Sequence, residues 1–181
     1  MPVDTSEREA WIRSLLDDHE AALLSYATRL LGGDVEGARD VVQDTFMRVL
    51  GADAREIEGR IVVWLFTVCR NRALDVRAKE KPMLDLDRHA TQPDGRGSDP
   101  LDRLEQKDSH QHVAALLGRL PENQREVLRL KFQHGLSYKE IGDVTGLTVT
   151  NVGFLIHRGI KTLRERLAVE PPAALRKECA S

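Results

Sequence analysis

Along most of this chain the apolar residues recur at intervals of three and four, the period of helices that bury one face. From Glu7 to Leu31 the positions Trp11, Leu15, Ala22, Leu23, Tyr26, Ala27 and Leu30 define a first amphipathic helix. Gly32-Gly33 stops it, and Asp34 is placed to cap the next. The second helix ends near Gly51, with Val35, Ala38, Val41, Val42, Thr45, Phe46, Val49 and Leu50 in one stripe. Its other side carries Arg39, Asp40, Gln43, Asp44, Met47 and Arg48. A polar loop over 51–60 leads to a third helix from about Arg60 to Lys79, with Ile61, Trp64, Leu65, Val68 and Leu74 expected inward. The period then lapses. Residues 81–100 hold three prolines, two glycines and repeated aspartates, the composition of a linker.

Beyond it the helical period returns. A helix is expected near Asp102 to Arg119, carrying Leu104, Val113, Leu116 and Leu117. Pro121 starts another, continued by Val127, Leu128, Leu130, Lys131 and Phe132 to a stop at Gly135. Ser137 and Glu140 form a capping box, in which each side chain takes the other's backbone N–H. Ile141 and Val144 face inward at helical spacing, Gly146 ends that short helix, and Thr148 can cap the next. Two helices joined by a short Gly-containing turn are the helix-turn-helix pattern, whose second helix enters the DNA major groove. An ordinary helical hairpin would show the same local signs. Pro171-Pro172 close the last helix. The pattern predicts an all-α chain of two small helical domains, 1–80 and 101–170. A flexible linker at 81–100 joins them, a tail follows at 171–181, and the second domain contains the helix-turn-helix.

Charge sharpens this picture. The 181 residues carry a net charge of −2. Residues 1–80 sum to −4 and residues 109–181 to +4, so the C-terminal part has the sign that DNA phosphates favour. The acidic first part has one local exception. The later turns of its third helix are basic, with Arg70, Arg72, Arg77 and Lys79 around Asn71 and Asp75. Such a helix suits nucleic-acid backbone contact; it equally suits a helix C-terminus complemented by cations. On the second helix, Met47 amid Asp40, Gln43 and Asp44 is unusual for a merely solvated face, because Met serves adaptable contact surfaces.

Other chemistry is excluded or unsupported. Cys69 and Cys179 fit neither a disulfide framework nor a metal motif, and Cys69 reads as a buried small residue. His110 and His112 have no partners at ligand spacing. No Gly-rich phosphate loop, nucleophile triad or paired carboxylates occur, so no catalytic residue, cofactor or metal is expected. With neither a signal peptide nor a membrane span in view, a cytoplasmic protein without membrane insertion is expected.

Three separated segments resemble the bacterial sigma factors of the extracytoplasmic-function (ECF) type, in the sigma-70 family. They are DVVQDTFMRV at 40–49, WLFTVCRNRALDVRAK at 64–79 and LPENQREVLRLKFQHGLSYKEIGDVTGL at 120–147, in the family's order and spacing. The resemblance covers about residues 8–167. It implies a transcription initiation factor that binds core RNA polymerase, directs it to promoters and helps melt them. Asp40, Gln43, Asp44, Met47 and Arg48 would dock on the clamp coiled coil of the polymerase β′ subunit. Arg60, Arg70, Asn71, Arg72, Asp75 and Arg77 would take the −10 element as single strand, the last five around the family's Asn-x3-Asp-x-Arg pattern. The helix-turn-helix would read the double-stranded −35 element. Tyr138 and Lys139 would hold phosphates there, and Thr150, Asn151, Phe154, His157, Arg158 and Lys161 would line the second helix. The second domain would also meet the polymerase β flap. The linker would thread the polymerase interior, and an anti-sigma protein is a further partner of such factors.

This chain departs from the family after the turn. Two positions that are usually basic are Gly153 and Leu155, so readout is expected to lean on Thr150, Asn151 and apolar contact by Phe154. A helix-turn-helix regulator acting without polymerase is the competing reading. It would leave the 40–49 face and the basic third helix idle.

Overall fold

A computed structural model describes residues 5–53, 57–80 and 112–169; the linker, the tail and the first part of the helix expected from Asp102 lie outside them. Every regular element among the described residues is helical, and the chain divides into two compact units.

The first unit is three mutually packed helices: α1 (Thr5–Leu30), α2 (Val35–Gly51) and α3 (Ile61–Glu80), with a 3₁₀ turn at Glu58–Arg60 leading into α3. Gly32 and Gly33 both take positive φ (68° and 102°), which reverses the chain between α1 and α2 at no steric cost. Asp34 caps α2, accepting from the Gly37 N–H at 3.1 Å. At the other end of α2, Arg8 donates to the carbonyls of Leu50 and Ala52, closing orphan acceptors from 42 and 44 residues away. The core is Leu15, Leu23, Tyr26, Ala27 and Leu30 from α1, with Ala38, Val41, Val42, Phe46 and Val49 from α2. Tyr26 and Phe66 meet edge to face, with ring centroids 5.2 Å apart. Thr45 is buried among them, and its hydroxyl donates to the Val41 carbonyl at 2.8 Å, so its polar group is satisfied.

α3 corrects part of the expected inward side. Leu65 and Cys69 are buried as expected and Phe66 and Ala73 join them, whereas Ile61, Trp64, Val68 and Leu74 are only half-buried. α3 packs on α1 and α2 together, which centres its buried arc on Cys69. Its apolar residues surround the helix, so periodicity alone could not choose that arc.

The second unit contains a helix at 112–118, then α5 (Glu122–Phe132), α6 (Tyr138–Thr145) and α7 (Val149–Val169); α4 denotes 112–118. Leu116, Leu120, Val127, Leu130, Leu136, Ile141, Val144, Val152 and Ile156 form its core. Burying one such side chain is worth roughly 1.5–3 kcal/mol. Phe132 leaves the expected stripe and is exposed at the end of α5. α5 lies against α7 where Gly159 faces Leu128; a Cβ on Gly159 would come within 2.8 Å of a Leu128 methyl.

Candidate partner and nucleic-acid interfaces

The turn at the second unit forms as its residues dictate. The Ser137 N–H donates to Glu140 Oε2 at 2.7 Å, and the Glu140 N–H donates to Ser137 Oγ at 3.3 Å. Hydrogen bonding to the Ser137 side chain, and to its N–H, holds the Glu140 carboxyl below its ordinary value. Gly146 has φ +75°, and the Asn151 N–H donates to Thr148 Oγ1 at 3.2 Å. α7 then starts with an exposed outer surface. Thr150, Asn151, Phe154, His157, Arg158 and Lys161 are all exposed and fall within an arc of about 120° at 100° per residue. The structure therefore gathers onto one face the six α7 residues among the eight expected at the −35 element. The Arg158 guanidinium sits 5.7 Å from the Phe154 ring centroid, a cation–π pair one turn apart. Lys161 lies 3.9 Å from Glu165.

The two atypical positions separate. Leu155 is buried and serves the core rather than DNA. Gly153 lies under the Tyr138 ring, whose carbons would be 3.6 and 3.8 Å from an added Cβ. Lys131 reaches the same ring, 5.6 Å from its centroid, while its ammonium donates to the Leu136 carbonyl. Tyr138 thus meets both Gly153 and Lys131 while staying exposed, and Lys139 is exposed beside it.

On α2, Asp40, Gln43, Met47 and Arg48 are exposed and Asp44 is half-buried, again one stripe at i, i+3, i+4, i+7 and i+8. Met47 is 59% and Leu50 is 50% exposed, an apolar surface that the unit's own packing does not use. Beside it runs an open groove of about 490 Å³ between α1 and α2, lined mainly by Ile12, Leu16, Leu24, Val42, Phe46, Met47 and Leu50. Sequence reasoning missed the α1 wall. Ile12, Leu16 and Leu24 flank that helix's inward stripe, and only the crossing of α2 shows which of them border a groove.

The six residues expected at the −10 element are not gathered on one face. Arg60 is exposed in the 3₁₀ turn, and Asn71 and Asp75 point outward one turn apart. Arg77 turns back to α1, where it donates to the Leu30 carbonyl at 3.4 Å; Arg70 is half-buried on that flank. Arg72 lies on the opposite flank and pairs with Asp44 of α2, Nε to Oδ2 at 2.6 Å. Among the described residues no helix is long and apolar enough to cross a membrane.

Comparison with known proteins identifies the family. The sequence model of sigma-70 region 2 matches residues 15–82, and that of sigma-70 region 4 matches residues 110–163. The chain is 32% identical over 167 residues to the ECF RNA polymerase sigma factor SigL of Mycobacterium tuberculosis, covering 86% of this chain and 88% of that one. It is 28% identical over 163 residues to the ECF sigma factor SigW of Bacillus subtilis, covering 84% and 87%. Among solved structures, CnrH in complex with the cytosolic domain of CnrY superposes with a TM-score of 0.57 at 26% identity, covering 89% of this chain and 90% of CnrH. The region 2 match spans the segments that a stand-alone regulator would leave idle. The chain belongs to the ECF sigma factors of the sigma-70 family, transcription initiation factors that bind core RNA polymerase and promoter DNA.

Proposed function

We propose that the first unit joins the polymerase to the −10 element and that the second reads the −35 element. The outer stripe of α2, Asp40, Gln43, Asp44, Met47 and Arg48, docks on the β′ clamp coiled coil. Exposed Met47 and Leu50 supply an adaptable apolar centre, and the carboxylates supply charge for partner arginines. The −10 contacts come from Arg60 and from α3 through Asn71, Arg72 and Asp75, flanked by Arg70 and Arg77. The six-residue face of α7 enters the major groove, Tyr138 and Lys139 stand at phosphates, and the rest of the second unit meets the β flap. An anti-sigma protein is a regulatory partner of the free factor, which works in the cytoplasm with the polymerase. The observation that carries this reading is the single exposed face of α7, held by two capped helix starts and a Gly turn.

Transcription with core polymerase over a randomised promoter library tests it. Sequencing the transcribed templates should return two short motifs at −35 and −10. Met47→Asp should abolish transcription and co-purification with core while leaving −35 duplex binding intact. Transcription that persists in this variant, or templates with no −35 motif, would refute the assignment.

A further inference from the structure

Asp44 and Arg72 stand on faces that the proposed function gives to different partners. Asp44 belongs to the outer stripe of α2, and Arg72 belongs to α3. Yet they bind each other, Nε to Oδ2 at 2.6 Å. That bond uses one of the five guanidinium N–H groups and fixes the plane of the fork. The two terminal nitrogens make no hydrogen bond within the described residues, and their geometry suits a bidentate phosphate. The side chains remain 29% (Arg72) and 46% (Asp44) exposed, so a nucleic-acid strand can still reach the pair. Ion pairs still open to water add little to folding, and this half-buried one does more for orientation than for stability.

We propose that Asp44 is a positioning residue for Arg72, holding the guanidinium with its free edge toward a phosphate of the opened −10 strand. This rests on Arg72 belonging to the −10 interface. Asp44 then links the two faces of the first unit: a residue of the polymerase contact also sets the arginine that meets the promoter. Without the carboxylate, Arg72 keeps its charge and loses its orientation, so part of its binding must be spent on ordering a long side chain.

The test uses holoenzyme formed with saturating core, which removes any defect in core affinity. Binding is measured to a fluorescent fork-junction DNA with a single-stranded −10 segment. Arg72→Ala should weaken it about tenfold, the weight of one charge-assisted hydrogen bond. Asp44→Ala should weaken it about threefold to tenfold, and the double variant should be no weaker than Arg72→Ala. Asp44→Asn keeps an acceptor oxygen and should recover part of the loss. Binding to −35 duplex, and the melting temperature, should not change. If Asp44→Ala has no effect, or adds fully to Arg72→Ala, the positioning role is overturned while the −10 assignment of Arg72 stands. If Arg72→Ala itself has no effect, the assignment falls and the proposal with it.

Discussion

Gly142 and Gly153 make a matched pair with opposite expected outcomes. Both lie inside helices, α6 and α7, on either side of the turn. In an ordinary helix Gly→Ala gains about 1 kcal/mol, because Ala has less backbone freedom to lose. At Gly153 the new Cβ would rest against the Tyr138 ring at 3.6 Å, which is normal van der Waals contact. Gly153→Ala should therefore stabilise the second unit by about 1 kcal/mol. At Gly142 the Cβ would stand 2.8 Å from the Leu147 carbonyl oxygen. That atom is backbone, one residue before the Thr148 cap, so the turn itself must move. Overpacking of this kind costs about 1–3 kcal/mol, which cancels or exceeds the helix gain. We expect Gly142→Ala to lose about 1 kcal/mol net, so the two variants differ by about 2 kcal/mol. For a unit of this size that separates their melting temperatures by roughly 8–16 °C. Native-state hydrogen exchange across residues 138–169 measures the local effect. Trp11 and Trp64 are the chain's two tryptophans and both lie in the first unit, so their fluorescence on unfolding serves as the control. Gly142→Ala should also weaken −35 duplex binding, since the turn sets how α7 is presented. A Gly142→Ala protein as stable as Gly153→Ala would refute the close approach at Leu147.

Replacing Arg158 and Lys161 by Ala should weaken −35 duplex binding and lower the slope of log K against log salt by about 0.9 for each phosphate that is no longer neutralised; titration at several salt concentrations reads both. Glu140 has a lowered carboxyl value through Ser137, so its capping contribution is present above the ordinary value of 4.5 and is lost as pH falls through the lowered one. Acid unfolding of the second unit should show this loss, and Glu140→Gln, which keeps the capping box without titrating, should not. Burial pushes the Cys69 thiol up to about 12, and the residue is fully shielded, so alkylation of Cys69 should require unfolding. Rapid labelling of the native protein, followed by peptide mass spectrometry, would contradict that.

Local physics made much of this molecule legible. The Ser137–Glu140 box, the Asp34 and Thr148 caps and the glycines at 32, 33 and 146 are short-range devices. Their partners lie within four residues, so the chain order alone identifies them. The stripes of α1 and α2 were largely readable as well, although Leu50 at the end of the α2 stripe is exposed. So was the two-unit division, since residues 81–100 lack any period.

What remained for the tertiary structure was every choice that depends on a second helix. The buried side of α3 was settled by simultaneous packing on α1 and α2, which left Trp64 half-buried and brought Phe66 and Ala73 into the core beside Cys69, whose burial the sequence already suggested. The arginines of α3 were equivalent in sequence; their surroundings separated them, Arg77 toward Leu30 and Arg72 onto Asp44. The groove wall of Ile12, Leu16 and Leu24 exists only because α2 crosses there. Gly153 and Leu155 looked alike as missing cations until one lay under a tyrosine ring and the other in the core. Caps and periods are set by neighbours along the chain, whereas burial and pairing are set by neighbours across it.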